Sequence, residues 1–233
     1  MGKTILIKNI KGGVGKSWIT LQLAHIFARE NKKVLIITSD SQNNIPLFAG
    51  IKMTEQEQGI EVWLTNNKGD YTQLRNNLYF ISMNNPSIQG SLLHKFNIFM
   101  QTAKKSFDYV FIDASPVLNL DKEFVNAADA VVIPTFLDGV STQAITKMFQ
   151  TVGTAKIKAV IPNRVSSRSR LEKEYYDKLS CVLAKTKILL TCPIQQSAVI
   201  AKLIDKGKTI WEVENAKAAV FKKEFLRVRE VIK

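Results

Sequence analysis

The sequence predicts an α/β protein: an open, doubly wound, mostly parallel sheet with helices on both faces. Three observations carry this. Apolar, β-rich runs alternate with helical patterns along the chain, the order expected of successive βαβ units. Several runs, Val34-Leu35-Ile36-Ile37 and Val110-Phe111-Ile112 among them, are apolar at every position, as central strands covered on both faces must be. Finally, the glycine-rich run Lys11-Gly12-Gly13-Val14-Gly15-Lys16-Ser17 falls between the first strand and the first helix. That is the C-terminal edge where sheets of this kind bind ligands.

In order, the predicted strands are residues 4–8, 33–38, 78–81, 109–113, 130–134, 156–161 and 187–192. Between them, residues 18–30 place Ile19, Leu23, Ile26 and Phe27 on one helical face, and residues 171–183 do the same with Leu171, Tyr175, Leu179 and Val182. The Asn- and Gln-rich stretch 41–77 reads as helices and loops at the rim. With no repeat, long linker or low-complexity tract, residues 1–233 are expected to form a single domain, with no separate N-terminal DNA-reading domain.

Composition is ordinary for a globular protein except in charge: 33 Lys and Arg against 20 Asp and Glu leave +13. Such an excess favours polyanions, nucleic acid first and anionic membrane second. Cys181 and Cys192 form neither a disulfide framework nor a Cys-x-x-Cys site, which fits a reducing cytoplasm. The chain enters its first strand without an apolar leader, and Leu6 breaks a myristoylation pattern at Met1-Gly2. His25 and His94 lack metal-ligand spacing.

The glycine-rich run carries the chemistry. Successive backbone N–H groups in such a turn, at a helix N-terminus, aim partial positive charge at an anion. Lys16 can then reach terminal phosphates and the Ser17 hydroxyl can hold Mg²⁺. The usual pattern wants Gly at position 10; here Ile10 stands there and a second lysine, Lys11, sits at the mouth of the loop. Hydrolysis also needs a carboxylate on the Mg²⁺ water shell and a group that orients the attacking water. Asp113 and Asp40 close two of the apolar strands and are the candidates.

These residues resemble a known family. Lys11–Ser17 is similar to the deviant Walker A loop of the ParA/MinD group of P-loop ATPases. Thr38-Ser39-Asp40-Ser41-Gln42 resembles its switch, and Phe107-Asp108-Tyr109-Val110-Phe111-Ile112-Asp113 its Walker B strand. Pro162-Asn163-Arg164 resembles the segment facing adenine, and Pro193-Ile194-Gln195-Gln196-Ser197 the start of a late helix. The resemblance implies a P-loop NTPase fold and two subunits sandwiching two ATP molecules, with Lys11 reaching the partner's phosphates. Gly12, Gly13, Val14, Gly15, Lys16, Ser17 and Trp18 would cradle the nucleotide, with Pro162, Asn163 and Pro193 around the base. Ser17 would hold Mg²⁺, Asp113 and Asp40 would act on it through water, and Asp40 would position the attacking water. Three departures, Thr38 for an aspartate, Trp18 for a second hydroxyl and Ser115 in place of a proline, lead us to expect slow, partner-stimulated hydrolysis of ATP to ADP and phosphate.

The surplus charge has an expected use in this family: basic residues toward the C-terminus grip DNA without reading its sequence. Arg168, Arg170, Lys202, Lys206 and Lys208 are the favoured set. The implied role is a cytoplasmic partition ATPase that associates with the nucleoid when ATP-bound and is reset by a ParB-like centromere-binding partner. The alternative is a MinD-like membrane- or cargo-positioning ATPase. Its discriminating element is the terminal helix, 215–232, whose stripe of Val220, Phe221, Phe225, Val228, Val231 and Ile232 could lie on a bilayer or pack on the sheet. Packing is the expected arrangement and membrane binding is not.

Overall fold

The computed structural model describes residues 1–39, 42, 44–52, 59–83, 91–114 and 121–233. In chain order the elements are β1 (Lys3–Ile7), α1 (Lys16–Arg29), β2 (Val34–Thr38), α2 (Asn44–Phe48), α3 (Ile60–Asn66), β3 (Thr72–Arg75), β4 (Leu78–Ser82), α4 (Ser91–Ser106), β5 (Tyr109–Asp113), α5 (Asp121–Ala127) and β6 (Ala130–Thr135). They continue with α6 (Gly139–Val152), β7 (Ile157–Val165), α7 (Arg170–Leu183), β8 (Leu189–Leu190), β9 (Ile194–Gln195), α8 (Ala198–Asp205), a 3₁₀ turn at Ile210–Glu212, and α9 (Ala216–Ile232).

The strands form one sheet in the order β3-β4-β2-β5-β1-β6-β7-β8, with β9 paired to the far end of β7. Every pairing is parallel except β3 with β4, so the sheet is the doubly wound one expected. Chain order reverses at β1, which lies between β5 and β6. The glycine-rich loop leaves the C-terminal end of that strand, at the switch point where such sheets open a crevice.

Side chains alternate across the sheet and split the core in two. Ile5, Ile7, Val34 and Ile36 face one layer with Trp18, Leu23, Phe27, Phe221 and Phe225, which brings α1 and α9 onto that face. Leu6, Leu35, Ile37 and Ile112 face the other, with Phe96, Phe99, Ile145 and Leu179 from α4, α6 and α7. α1 is buried almost all round, from Trp18 through Ala28, because α9 covers its outer side. Trp18 meets Phe225 edge-on at 5.7 Å.

Four expectations need correcting. The 41–77 stretch contains an edge strand, β3, whose polar sequence Thr-Gln-Leu-Arg hides it: only Leu74 is buried, since an edge strand needs one apolar contact rather than two covered faces. The last predicted strand, 187–192, shrinks to Leu189–Leu190. Residues 193–197 first form β9 and only then start a helix, which Ser197 caps by accepting from the Val199 N–H. The terminal helix packs inward as expected, with Phe221, Phe225, Val228 and Ile232 buried, but Val220 and Val231, 63% and 36% exposed, leave the stripe. No helix among the described residues is long and apolar enough to cross a membrane.

Candidate nucleotide-binding site

The loop between β1 and α1 is held from below by a side chain that no motif singles out. Asn9, fully buried, donates its amide to the Pro134 carbonyl at 2.6 Å and accepts the Lys11 N–H at 2.9 Å. Gly13 and Gly15 take φ values of 72° and 90°, the left-handed region that a β-carbon penalises. Gly15 is the N-cap of α1 and offers its helix no capping side chain, so the first-turn N–H groups are left for an anion. A β-carbon at Gly12 or Gly13 would meet nothing within 4 Å among the described residues. This bare, positively polarised backbone fits a phosphate chain. Buried Lys16 reaches back over it, its Nζ 3.4 Å from the Lys11 carbonyl.

Lys11 has a partner in its own chain. Its Nζ lies 2.6 Å from Asp138 Oδ2 and 5.1 Å from the Phe136 ring centroid. Asp138 is also the N-cap of α6, accepting the Ser141 N–H at 2.7 Å. Partial burial pushes the Asp138 carboxyl up, but the bonds from Lys11 and Ser141 outweigh that and hold it below the usual carboxylate range.

Asp113 closes β5, 1% exposed, directly across from Thr38 at the end of β2. The Thr38 hydroxyl donates to Asp113 Oδ2 at 3.2 Å. Two carboxylates at these positions would repel each other with little water between them; threonine instead supplies a donor. Asp113 thus sits one strand from the loop, as a carboxylate acting on Mg²⁺ should, and Ser17 stands half-buried in the first turn of α1. Asp40, Ser41 and Ser115 lie outside the described residues.

A cleft of about 690 Å³ opens beside the loop. Gly13, Gly15, Lys16, Ser17, Trp18 and Asn163 all contribute to its walls, facing Asn44 and Phe48 of α2 and Ile200 and Ile204 of α8. Of the residues expected around a base, Asn163 is there but occupied on one side: its Nδ2 donates to the Val14 carbonyl at 2.9 Å. Pro162 is buried in β7 opposite Thr135, and Pro193 borders the adjoining groove instead.

Comparison with known proteins identifies the family. A family profile described as "AAA domain" matches residues 2–163, the segment from the first strand through Asn163. The chain is 28% identical to the sporulation initiation inhibitor protein Soj of Bacillus subtilis over 167 residues, covering 65% of each. It is 24% identical to Protein IncC of Escherichia coli over 245 aligned positions, covering 95% of this chain and 66% of that one. The chain thus spans slightly less than two thirds of these relatives' own length. It belongs to the ParA/MinD family of P-loop ATPases.

Solved structures agree in fold across the family. A Cyanothece McdA in its apo form superposes with a TM-score of 0.82 at 21% identity, covering 100% of both chains. MinD of Aquifex aeolicus gives 0.75 at 17%, covering 98% of this chain and 97% of that one.

In this ParA/MinD chain the charge is unevenly placed. Residues 156–233 carry 18 Lys and Arg against 8 Asp and Glu, so +10 of the +13 falls from Lys156, the residue before β7, onward. Not all of it is available. Lys222 is spent on the Val213 carbonyl, Arg227 on Glu224, Arg229 on Glu30, and Lys233 on Glu230. Arg168 is exposed in the β7–α7 turn, and Arg170 pairs loosely with Glu174 at 3.4 Å. Lys202, Lys206 and Lys208 are exposed on α8 and its end. There Gly207, at φ 59°, stops the helix with Lys208 N–H bonded to the Leu203 carbonyl.

That helix end is clamped. Arg75 of β3 donates to the carbonyls of Ala49, Leu74 and Gly207 and pairs with both Glu212 oxygens. Burial raises the Glu212 carboxyl, and the Arg75 and Thr209 bonds bring it below its ordinary value. Thr209 in turn meets His25 Nδ1 at 2.8 Å. α2 therefore has Asn44 and Phe48 in the cleft and its far end against the turn between Lys206 and Lys208. Sequence reasoning missed Asp138, Asn9 and Arg75. The first has one local signal, an Asp before a helical run; the other two make bonds across more than 100 residues, Asn9 to Pro134 and Arg75 to Gly207, that no local pattern announces.

Proposed function

We propose that this chain is an ATP-driven partition ATPase. ATP binds in the cleft beside the phosphate loop, with Lys16 on the terminal phosphates. Ser17, and Asp113 through water, would hold Mg²⁺, which supplies charge neutralisation at the phosphates when bound. ATP loading joins two copies through Lys11, and the dimer binds double-stranded DNA without sequence preference. Asp40 orients the water for a slow hydrolysis that a centromere-bound partner accelerates, and release from DNA follows.

The observation that carries this reading is the placement of α8. Its apolar side, Ile200 and Ile204, walls the nucleotide cleft, while Lys202 stands exposed on the helix and Lys206 and Lys208 just past its C-terminal end. One helix spans nucleotide and polyanion. The relatives support the reading by name: one is the chromosome partitioning protein ParA of Myxococcus xanthus, 25% identical over 169 residues. A Borrelia burgdorferi putative plasmid partition protein of similar fold was solved with AMPPNP bound.

A DNA mobility shift with ATP at two salt concentrations tests it. Each phosphate contact adds roughly 0.9 to the slope of log affinity against log salt, so replacing Lys202, Lys206 and Lys208 by Ala in both copies of the dimer should flatten the slope by up to about 5. ATP-loaded protein that ignores DNA at low salt ends the proposal. The membrane-lying alternative needs Phe221 and Phe225 turned outward, and both are buried.

A further inference from the structure

We infer that the groove adjoining the nucleotide cleft is a second ligand site, and that it takes a small amphipathic carboxylate: an apolar skeleton carrying one anionic head.

The groove encloses about 730 Å³ and shares residues 195–198 as a wall with the nucleotide cleft. That volume suits a small molecule, whose sites combine an apolar lining with a few convergent polar groups. Leu137, Val165 and Phe221 supply buried apolar surface, with half-buried Tyr176 beside them. Val220 joins them from α9. Its place in the helix stripe would bury it, yet the fold leaves it exposed along this groove.

Charge decides the head group. Lys173 and Lys217 line the groove, and neither ammonium group forms an ion pair or hydrogen bond among the described residues. Lys222 and Arg227, on the same helix as Lys217, are by contrast matched to the Val213 carbonyl and to Glu224. Glu172 is the one carboxylate in the lining, and its Oε2 accepts the Ser166 N–H at 2.7 Å. Two ammonium groups against one carboxylate leave one positive charge unmatched, the complement of a single carboxylate rather than of a doubly charged phosphate monoester. The first turns of α7, α8 and α9 border the same space through Glu172, Ala198 and Lys217, and their positive ends add to the attraction. Charge alone would suit any small anion. The apolar lining selects one with a carbon skeleton, because a phosphodiester backbone would leave that surface uncovered.

The experiment is calorimetric titration of the full chain with three probes: 4-phenylbutyrate, its uncharged amide, and acetate. Phenylbutyrate should bind. The amide should bind about tenfold more weakly, the loss expected for contacts to two exposed cations, and acetate should give no measurable heat. The double variant Lys173→Gln, Lys217→Gln should bring phenylbutyrate down to the affinity of the amide. Val220→Glu, which sets a second carboxylate in the groove, should abolish binding. These three side chains are exposed, so the substitutions leave the core intact. They border the groove and not the nucleotide cleft, so their effects locate the probe. A wild-type chain that binds no phenylbutyrate, or binds the amide equally well, overturns the assignment. Acetate binding as tightly as phenylbutyrate overturns the amphipathic class. Undiminished phenylbutyrate binding by either variant removes the site from this groove.

Discussion

Lys11 and Asp138 form an ion pair within one chain, Nζ to Oδ2 at 2.6 Å, across 127 residues of sequence. The lysine that by family resemblance should complete a partner's phosphate site is already matched at home, with Phe136 beneath it. Both side chains are partly exposed, at 27% and 41%, so the pair contributes about 1 kcal/mol or less. That is enough to hold the ammonium in one place and too little to hold it against a triphosphate.

Asp138→Asn should therefore free Lys11 while keeping the α6 cap, since Asn caps as well as Asp. Each of the two chains gives up a pair worth about 1 kcal/mol or less, so the ATP-dependent dimer should form at a protein concentration up to about thirtyfold lower. Sedimentation velocity across a dilution series measures this. An unchanged threshold means the internal pair does not compete with assembly.

Lys11→Ala tests the other side of the same contact. Light scattering should show no ATP-dependent dimer, while a titration still detects nucleotide binding by the monomer through Lys16 and the loop backbone. Dimers that persist in this variant remove Lys11 from the interface.

Phe225 is 1% exposed and packs edge-on against Trp18, the residue that follows the phosphate loop. Phe225→Ala should cost about 3–5 kcal/mol, the usual range for a buried phenylalanine, and lower the urea midpoint accordingly. A loss below about 1 kcal/mol would mean that α9 is not part of the core.

His25 makes stability pH-dependent. Burial lowers its pKa to about 4, against the raising influence of nearby Glu212, whereas the unfolded chain titrates it near 6.5. The imidazole is neutral in the fold, so its contribution is complete above pH 6.5 and is lost as pH falls toward 4. Between pH 6.5 and 5 the chain should lose about 2 kcal/mol, and His25→Gln should flatten that interval in urea titrations. The lowered carboxyls of Asp129, Asp138 and Glu212 act below it, losing their contributions only as they protonate in stronger acid.

Gly207 packs its backbone on Gly50: a β-carbon there would sit 2.2 Å from the Gly50 Cα, at a φ of 59°. Gly207→Ala should destabilise the chain by about 2 kcal/mol or more, from backbone strain and displacement together. An unchanged melting curve would show that the α2–α8 contact can open at no cost.

Much of this molecule was legible in its residues because the relevant physics is local. Seven consecutive residues make a phosphate loop, and a run apolar at every position makes a central strand, whatever lies around them. The polar edge strand Thr72–Arg75 and the two-residue strand Ile194–Gln195 were not legible. Their pairing depends on a neighbour being present rather than on their own pattern. Folding decided the matters that turn on distant partners: that Lys11 meets Asp138, that the Asn163 amide is committed to Val14, and that Arg75 reaches Gly207 and Glu212. Each of these joins residues more than 120 positions apart. Side-chain chemistry names what a group can bond to, but only the packed sheet brings one candidate within 3 Å and turns the rest away.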